Sequence, residues 1–154
     1  MQSASGKISR VVAVRLSPGE DLLEGLAEAC KKHNLNNGLI LSGIGSLRLA
    51  RVFNPRPLPD RKIGHGYGSP LELVGPIELL AATGMICQGD KGETLFHIHL
   101  SLSDQNGGGW GGHLIEGNRV LITADFLLGE VEELNMGRKY NEEVELMIFN
   151  PQPK

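Results

Sequence analysis

The chain has 154 residues, 40% of them hydrophobic and 21% charged, which suits one domain around a single core. Its net charge of −3 argues against a protein that coats nucleic acid through general basicity. No apolar run approaches the roughly 18 residues needed to span a membrane, the N-terminus lacks an apolar leader, and Cys30 and Cys87 supply neither a disulfide framework nor a metal-ligand spacing, so a cytoplasmic protein is expected.

Residues 7–16, KISRVVAVRL, are rich in β-branched side chains and predict a first strand. The clearest helix follows in SPGEDLLEGLAEACKKHNLNNG. Ser17 is the expected N-cap, Pro18 suits the first helical position, and Glu20 completes a capping box. Leu22, Leu26 and Cys30 form an apolar stripe, widened by Leu23 and Ala27, which makes Cys30 a core residue. Lys31, Lys32 and His33 complement the dipole at the other end, and Asn36-Asn37-Gly38 are expected to stop the helix. His33 is then a surface residue without chemistry.

LILSGIGSLRLARVF predicts a strand, a glycine-marked kink and a further strand. Its Gly43-x-Gly45 pair lacks a third glycine and no helix follows, so it is not a dinucleotide fingerprint. Residues 54–70 hold four prolines and three glycines and predict a long excursion, of the kind that is often functional or interfacial. His65 lies there, and a single loop histidine reads as solvated. Charge is uneven: residues 46–62 carry five positive side chains against Asp60, and residues 130–145 carry six glutamates against Arg138 and Lys139. Arg48, Arg51 and Arg56 form a candidate anion site, the alternative being a solvated loop. From residue 71 strand follows strand, at 71–87, 93–103, 119–129 and 144–149. One early helix and a run of turn-joined strands predict an α+β fold, a mostly antiparallel sheet with one principal flanking helix, as a single domain over residues 1–154.

HIHLSLSDQNGGGWGGHL, residues 97–114, holds three of the five histidines. In the strand that contains it, Phe96, Ile98, Leu100 and Leu102 alternate with His97, His99, Ser101 and Ser103. Alternation sends the apolar set to the core and both histidines to the opposite face. His113 returns after a glycine-rich loop and is placed to add a third imidazole. Three histidines leave an open coordination position and suit zinc, iron, nickel or copper. The competing reading is a polar sheet face without a metal. Ser101, Asp104 and Asp125 are candidate partners that would fix histidine orientation. In the following strand, Thr123 and Asp125 are expected on the polar face, away from Val120, Ile122, Ala124 and Phe126.

GIGSL at 43–47, IELLAATGMI at 77–86, HIHLSLSD at 97–104, GGHL at 111–114 and VLITADFLL at 120–128 together resemble, in that order, the PPC domain, also called DUF296. RKYNEEVELMIF at 138–149 is similar to that family's closing segment. The resemblance implies an antiparallel α+β domain assembled as a homotrimer, of the stand-alone prokaryotic type, in a family labelled DNA-binding by association. It also implies a metal site, most often zinc, at His97, His99 and His113. The Arg-Gly-Arg-Pro core of the plant AT-hook arm is absent, which together with the acidic charge argues against direct DNA binding. Asp125 stands where the family often shows a glutamate.

Two functions follow from this reading. The first is a homotrimeric binding or regulatory module that carries the three-histidine metal and recruits a protein partner or a small-molecule ligand. The second is a metal-dependent hydrolase or lyase acting on a small anionic molecule, bound near Arg48, Arg51 and Arg56. A cupin-like oxygenase is disfavoured, because Ser103 and Asp104 stand where its glutamate belongs.

Overall fold

The computed structural model describes residues 1–154. Strand β1 (Lys7–Leu16) leads into helix α1 (Leu22–Lys32) and then β2 (Gly38–Phe53). A short hairpin, β3 (Pro55–Pro57) with β4 (His65–Tyr67), occupies the proline-rich excursion before β5 (Leu71–Gln88). Next come β6 (Thr94–Asp104), β7 (Gly109–Leu114), β8 (Arg119–Glu132), β9 (Leu134–Asn141) and β10 (Leu146–Pro153). Eight strands form one sheet in the order β1-β8-β2-β7-β6-β5-β9-β10, and β2 also pairs with β5. Pairing is antiparallel throughout except for the contact of Gln88 with Gly137, between β5 and β9. The expected α+β class, with one helix against a mostly antiparallel sheet, is the class observed.

The sheet closes on itself in its middle. β7 bonds β6 along one edge and the end of β2 along the other, while β2 and β6 both bond β5. Strands β2, β5, β6 and β7 therefore complete a ring, and Val52, Leu79, Leu100, Leu102 and Leu114 are buried in the core it shares with α1. Leu22 and Leu26 are fully buried on the helix. At about 1.5–3 kcal/mol each, their burial offsets the marginal stability of an 11-residue helix in water.

Four local expectations change. The helix is capped by Asp21, whose carboxylate accepts from the backbone N–H groups of Leu23 and Glu24 at 3.0 and 3.2 Å, and Ser17 is not the cap. Gly19 has φ +88°, which no helix tolerates, so Ser17–Glu20 forms a separate turn in which the Ser17 N–H donates to the Glu20 carboxylate. The helix also ends earlier than Asn36-Asn37-Gly38, because Asn34 takes the left-handed conformation at φ +51°. Buried Asn37 serves elsewhere, bonding Val131, Leu134 and Met136 to hold the start of β9 against β8.

The glycine-rich stretch is mostly strand rather than loop. A Cβ at Gly111 would lie 2.5 Å from the Leu100 carbonyl, and one at Gly112 would lie 2.6 Å from that of Phe53. These glycines let β7 wedge between β6 and β2 and close the ring. Finally, Ile122 is 66% exposed rather than in the core. Register between β2 and β8 slips from Gly45↔Ala124 to Leu47↔Val120, and the extra residues bulge outward.

Candidate metal centre

Ile98, Leu100 and Leu102 of β6 are buried, while His99 is exposed and His97 half-buried on the other face. The antiparallel register of β6 and β7 sets His113 directly opposite His99. A histidine two residues along one strand and a third directly across it are all near neighbours, so the hairpin alone gathers the three rings. Their centroids lie 5.1, 5.3 and 5.5 Å apart, and one donor atom from each falls within 4.8 Å of the others.

The Nε2 atoms of His97 and His99 are 3.3 Å apart. Two nitrogens each about 2.0–2.1 Å from a tetrahedral ion are separated by about 3.3–3.4 Å, so this pair already has the span of a zinc-type edge. Ring nitrogens must also be unprotonated to bind a metal. His113 is pushed down to about 4 by burial first, then by the charges of His97, His99 and Arg138. His97 is lowered as well, by burial, then Arg138, then His99. Both are neutral at pH 7. The Nδ1 atoms of His97 and His113 are buried without a hydrogen-bond partner. The three imidazoles thus fit a transition metal in number and spacing.

Two residues outside the expected set shape this place. Tyr67, at the end of the β3–β4 hairpin, stacks on His113 with centroids 5.4 Å apart, and Phe53 backs it at the same distance. The proline-rich excursion therefore reaches the site through Tyr67, whereas His65 contacts only the Ile63 carbonyl, at 3.1 Å. Arg138, on β9, brings a guanidinium whose charge both His97 and His113 feel. Nothing local in the sequence marks Arg138, because β9 meets β5 only at Gln88↔Gly137.

The other candidates fall elsewhere. The Asp104 carboxylate accepts from Trp110 Nε1 and from the backbone N–H groups of Asn106 and Gly108, at 2.9, 2.8 and 2.9 Å, and these bonds hold it well below the usual carboxylate range. It fixes the turn of the hairpin that carries the histidines and does not bond their rings. Ser101 is exposed, opposite Gly111, with no histidine partner. Asp125 lies on β8 beside Arg15 and Ile44, with Thr123 Oγ1 at 3.4 Å, two strands removed from β6. The three arginines do not converge either. Arg51 bonds Glu72 at 2.8 Å and lines an open cleft of about 530 Å³ with His113, Leu23, Phe96 and Glu116. Arg48 is also on β2, and Arg56 lies on β3 against Gly68. The basic excursion instead meets the acidic segment, where Lys62 Nζ donates to the Glu142 carbonyl, the Lys62 backbone N–H donates to the Glu145 carboxylate, and Arg61 approaches Glu145 at 4.0 Å.

A family model described as the Plants and Prokaryotes Conserved (PCC) domain matches residues 3–132. The chain belongs to this family. Among solved structures, the PCC domain described here is similar to a metal-containing protein of Archaeoglobus fulgidus, with a TM-score of 0.81 and 23% identity over 97% of this chain and 99% of that one. It is similar to a plant- and prokaryote-conserved protein of Pyrococcus horikoshii, with a TM-score of 0.77 and 29% identity over 96% and 97% of the two chains. A candidate DNA-binding protein of Bacteroides thetaiotaomicron superposes with a TM-score of 0.79 at 21% identity, over 95% and 96%. The PCC domain also matches the bifunctional protein GlmU of a Synechococcus strain, 31% identical over 130 residues, covering 84% of this chain and 18% of that protein. The chain thus spans less than a fifth of the length of the curated relatives it matches.

Proposed function

We propose that this PCC domain is a binding module that holds a zinc ion on His97, His99 and His113 and works as a homotrimer. The observation that carries the metal reading is the convergence of three imidazoles, with no carboxylate among them, at a spacing that suits a tetrahedral ion. The Archaeoglobus relative's description as metal-containing supports it. With three protein ligands, zinc would supply one open coordination position. His99 is the exposed member of the set, so a ligand would approach from its side.

Metal analysis of untagged protein tests this reading. One equivalent of zinc in the wild type, lost in His97→Ala and His113→Ala, is the expected result, and equal metal in all three would overturn it. The trimer is supported by an apolar sheet face that nothing in one chain covers: Val11 is 55% exposed, Ile44 54%, Leu41 and Leu127 43% each. Ala13, Leu127 and Ser42 lie side by side there across β1, β8 and β2. Light scattering should give three chains per particle, reduced by Leu127→Glu, and a monomeric wild type would refute it.

DNA binding is not part of this reading, because the net charge of these 154 residues is −3. A metal-dependent hydrolase or lyase is the second reading, favoured by one observation: His113 lines the 530 Å³ cleft together with Arg51 and the apolar side chains of Leu23 and Phe96. In that case the cleft's apolar wall would exclude water from the body of a small molecule, and its Arg51 end would orient an anionic group.

A further inference from the structure

Residues 54–70 stand apart from the body of the molecule, and none of them is buried. Strands β3 and β4 form a two-stranded sheet of their own, without a ladder to the main sheet. A lone hairpin of that kind is marginally stable in water, and no buried apolar surface fixes this one. Two sets of contacts hold it instead. At its tip, Arg61 approaches Glu145 at 4.0 Å, the Lys62 N–H donates to the same carboxylate at 3.4 Å, and Lys62 Nζ donates to the Glu142 carbonyl at 3.2 Å. Beside these surface contacts lies a cavity of about 140 Å³ lined by Arg61, His65, Tyr67, Val144, Glu145 and Leu146, so the tip meets the body across a gap. Exposed ion contacts of this sort contribute little. At the other end, Tyr67 stacks on both Phe53 and His113, with centroids 5.4 Å apart in each pair and planes inclined by 16° and 26°. Phe53 is itself the register partner of His113 across β2 and β7. The hairpin therefore touches the histidine site through an aromatic ring laid flat on one imidazole. A metal-bound histidine ordinarily has its second ring nitrogen held by a carboxylate or carbonyl, which fixes the ring plane. The buried Nδ1 of His113 has no such brace, and the flat contact with Tyr67 is what orients the ring.

Resting on the metal reading above, we propose that residues 55–67 are a lid on the metal centre and that Tyr67 is the positioning residue for His113. With the lid down, Tyr67 holds the imidazole in its ligating posture. When the hairpin lifts, the ring loses its support, the third ligand turns away and the ion leaves. Lid closure and metal binding then favour each other by the same factor. The weak contacts at the tip allow the lid to lift, and the stack on His113 decides whether it stays down.

Two measurements test this. The first is the rate of zinc release from loaded protein to an excess of chromophoric chelator, followed by stopped flow. Tyr67→Ala should release zinc about two- to tenfold faster, the worth of one aromatic pair, and Tyr67→Phe, which keeps the ring, should match the wild type. The second is trypsin cleavage after Arg61 and Lys62, with the fragments identified by mass. Zinc should slow cleavage at these exposed sites by a similar factor in the wild type and leave it unchanged in Tyr67→Ala. Cleavage that is equally fast with and without zinc overturns the lid on the wild type alone, whether or not the variants fold. Equal zinc release from Tyr67→Ala and wild type, or release from Tyr67→Phe as fast as from Tyr67→Ala, overturns the positioning role of the ring. A protein that binds no zinc at all is a different result: it overturns the metal reading itself, and this inference with it.

Discussion

Replacing Asp21 by alanine should cost this protein far more than replacing Ser17, although the sequence marks Ser17 as the helix cap. Asp21 is 2% exposed and its carboxylate makes three bonds. One oxygen accepts from the Leu23 and Glu24 N–H groups at 3.0 and 3.2 Å, and the other accepts from Gly117 at 2.7 Å. Loss of an N-cap costs about 1 kcal/mol. Leaving the Gly117 N–H without its charged acceptor adds about 1–3 kcal/mol. The sum, about 2–4 kcal/mol, corresponds in a domain of this size to a fall in Tm of roughly 4–16 °C. Ser17→Ala removes no side-chain bond, since the Ser17 contribution is its backbone N–H to Glu20, and should shift Tm by no more than about 2 °C. Thermal unfolding of both variants, metal-free and followed by circular dichroism at 222 nm, measures the difference. Equal losses, or a larger loss in Ser17→Ala, would refute the assignment of the helix start and the coupling of α1 to the turn before β8.

Saturating zinc should raise the Tm of the wild type. At a ligand excess of about a hundredfold over Kd the gain is about 2.7 kcal/mol, and the gain should vanish in His97→Ala, as differential scanning calorimetry would show. In metal-free protein, stability should fall as pH drops from 6.5 towards 4. His113 takes up a proton at about 4 when folded but near its ordinary 6.5 when unfolded, so the unfolded chain binds more protons across that window and gains from acid. Urea midpoints measured between pH 4 and 7 should show this slope, and His113→Gln should flatten it. Gly84→Ala should both destabilise the fold and weaken metal binding. Its Cβ would meet the His97 carbonyl at 2.2 Å and the Ile98 Cα at 2.6 Å, both backbone atoms, so β6 must shift and take His97 with it. Unchanged metal affinity in a folded Gly84→Ala protein would show that β6 yields without moving the ring.

What the sequence made legible here is what depends on short-range periodicity. The alternation of β6 placed His97 and His99 together and opposite Ile98 and Leu100, and the apolar stripe of Leu22, Leu26 and Cys30 marked the buried side of α1. Features set by long-range pairing were not legible. Gly111 and Gly112 are turn-formers by composition, and only the approach of Leu100 and Phe53 from two different strands makes them strand residues. Tyr67 reaches His113 from a proline-rich hairpin, and Arg138, whose charge lowers His97 and His113, lies on a strand that joins the sheet near its far edge. The opposite charges of residues 46–62 and 130–145 were visible, but the ion pair of Arg61 with Glu145 was not. A capping residue hidden two positions beyond a Pro-Gly turn is a similar case, because Gly19 at φ +88° moves the helix start where no propensity scale looks.

All three histidines come from a single hairpin, β6 and β7, joined by a tight turn that Asp104 pins. The chain entropy lost in bringing them together is therefore that of closing one short loop, which grows only slowly with length and is small here. The closure of the ring between β7 and the end of β2 spans some sixty residues, Phe53 to His113, and carries the larger entropic cost. The ligand set can assemble before the domain around it does. An ion captured at that stage would act as a nucleus, fixing the register of one hairpin while the rest of the sheet is still being recruited.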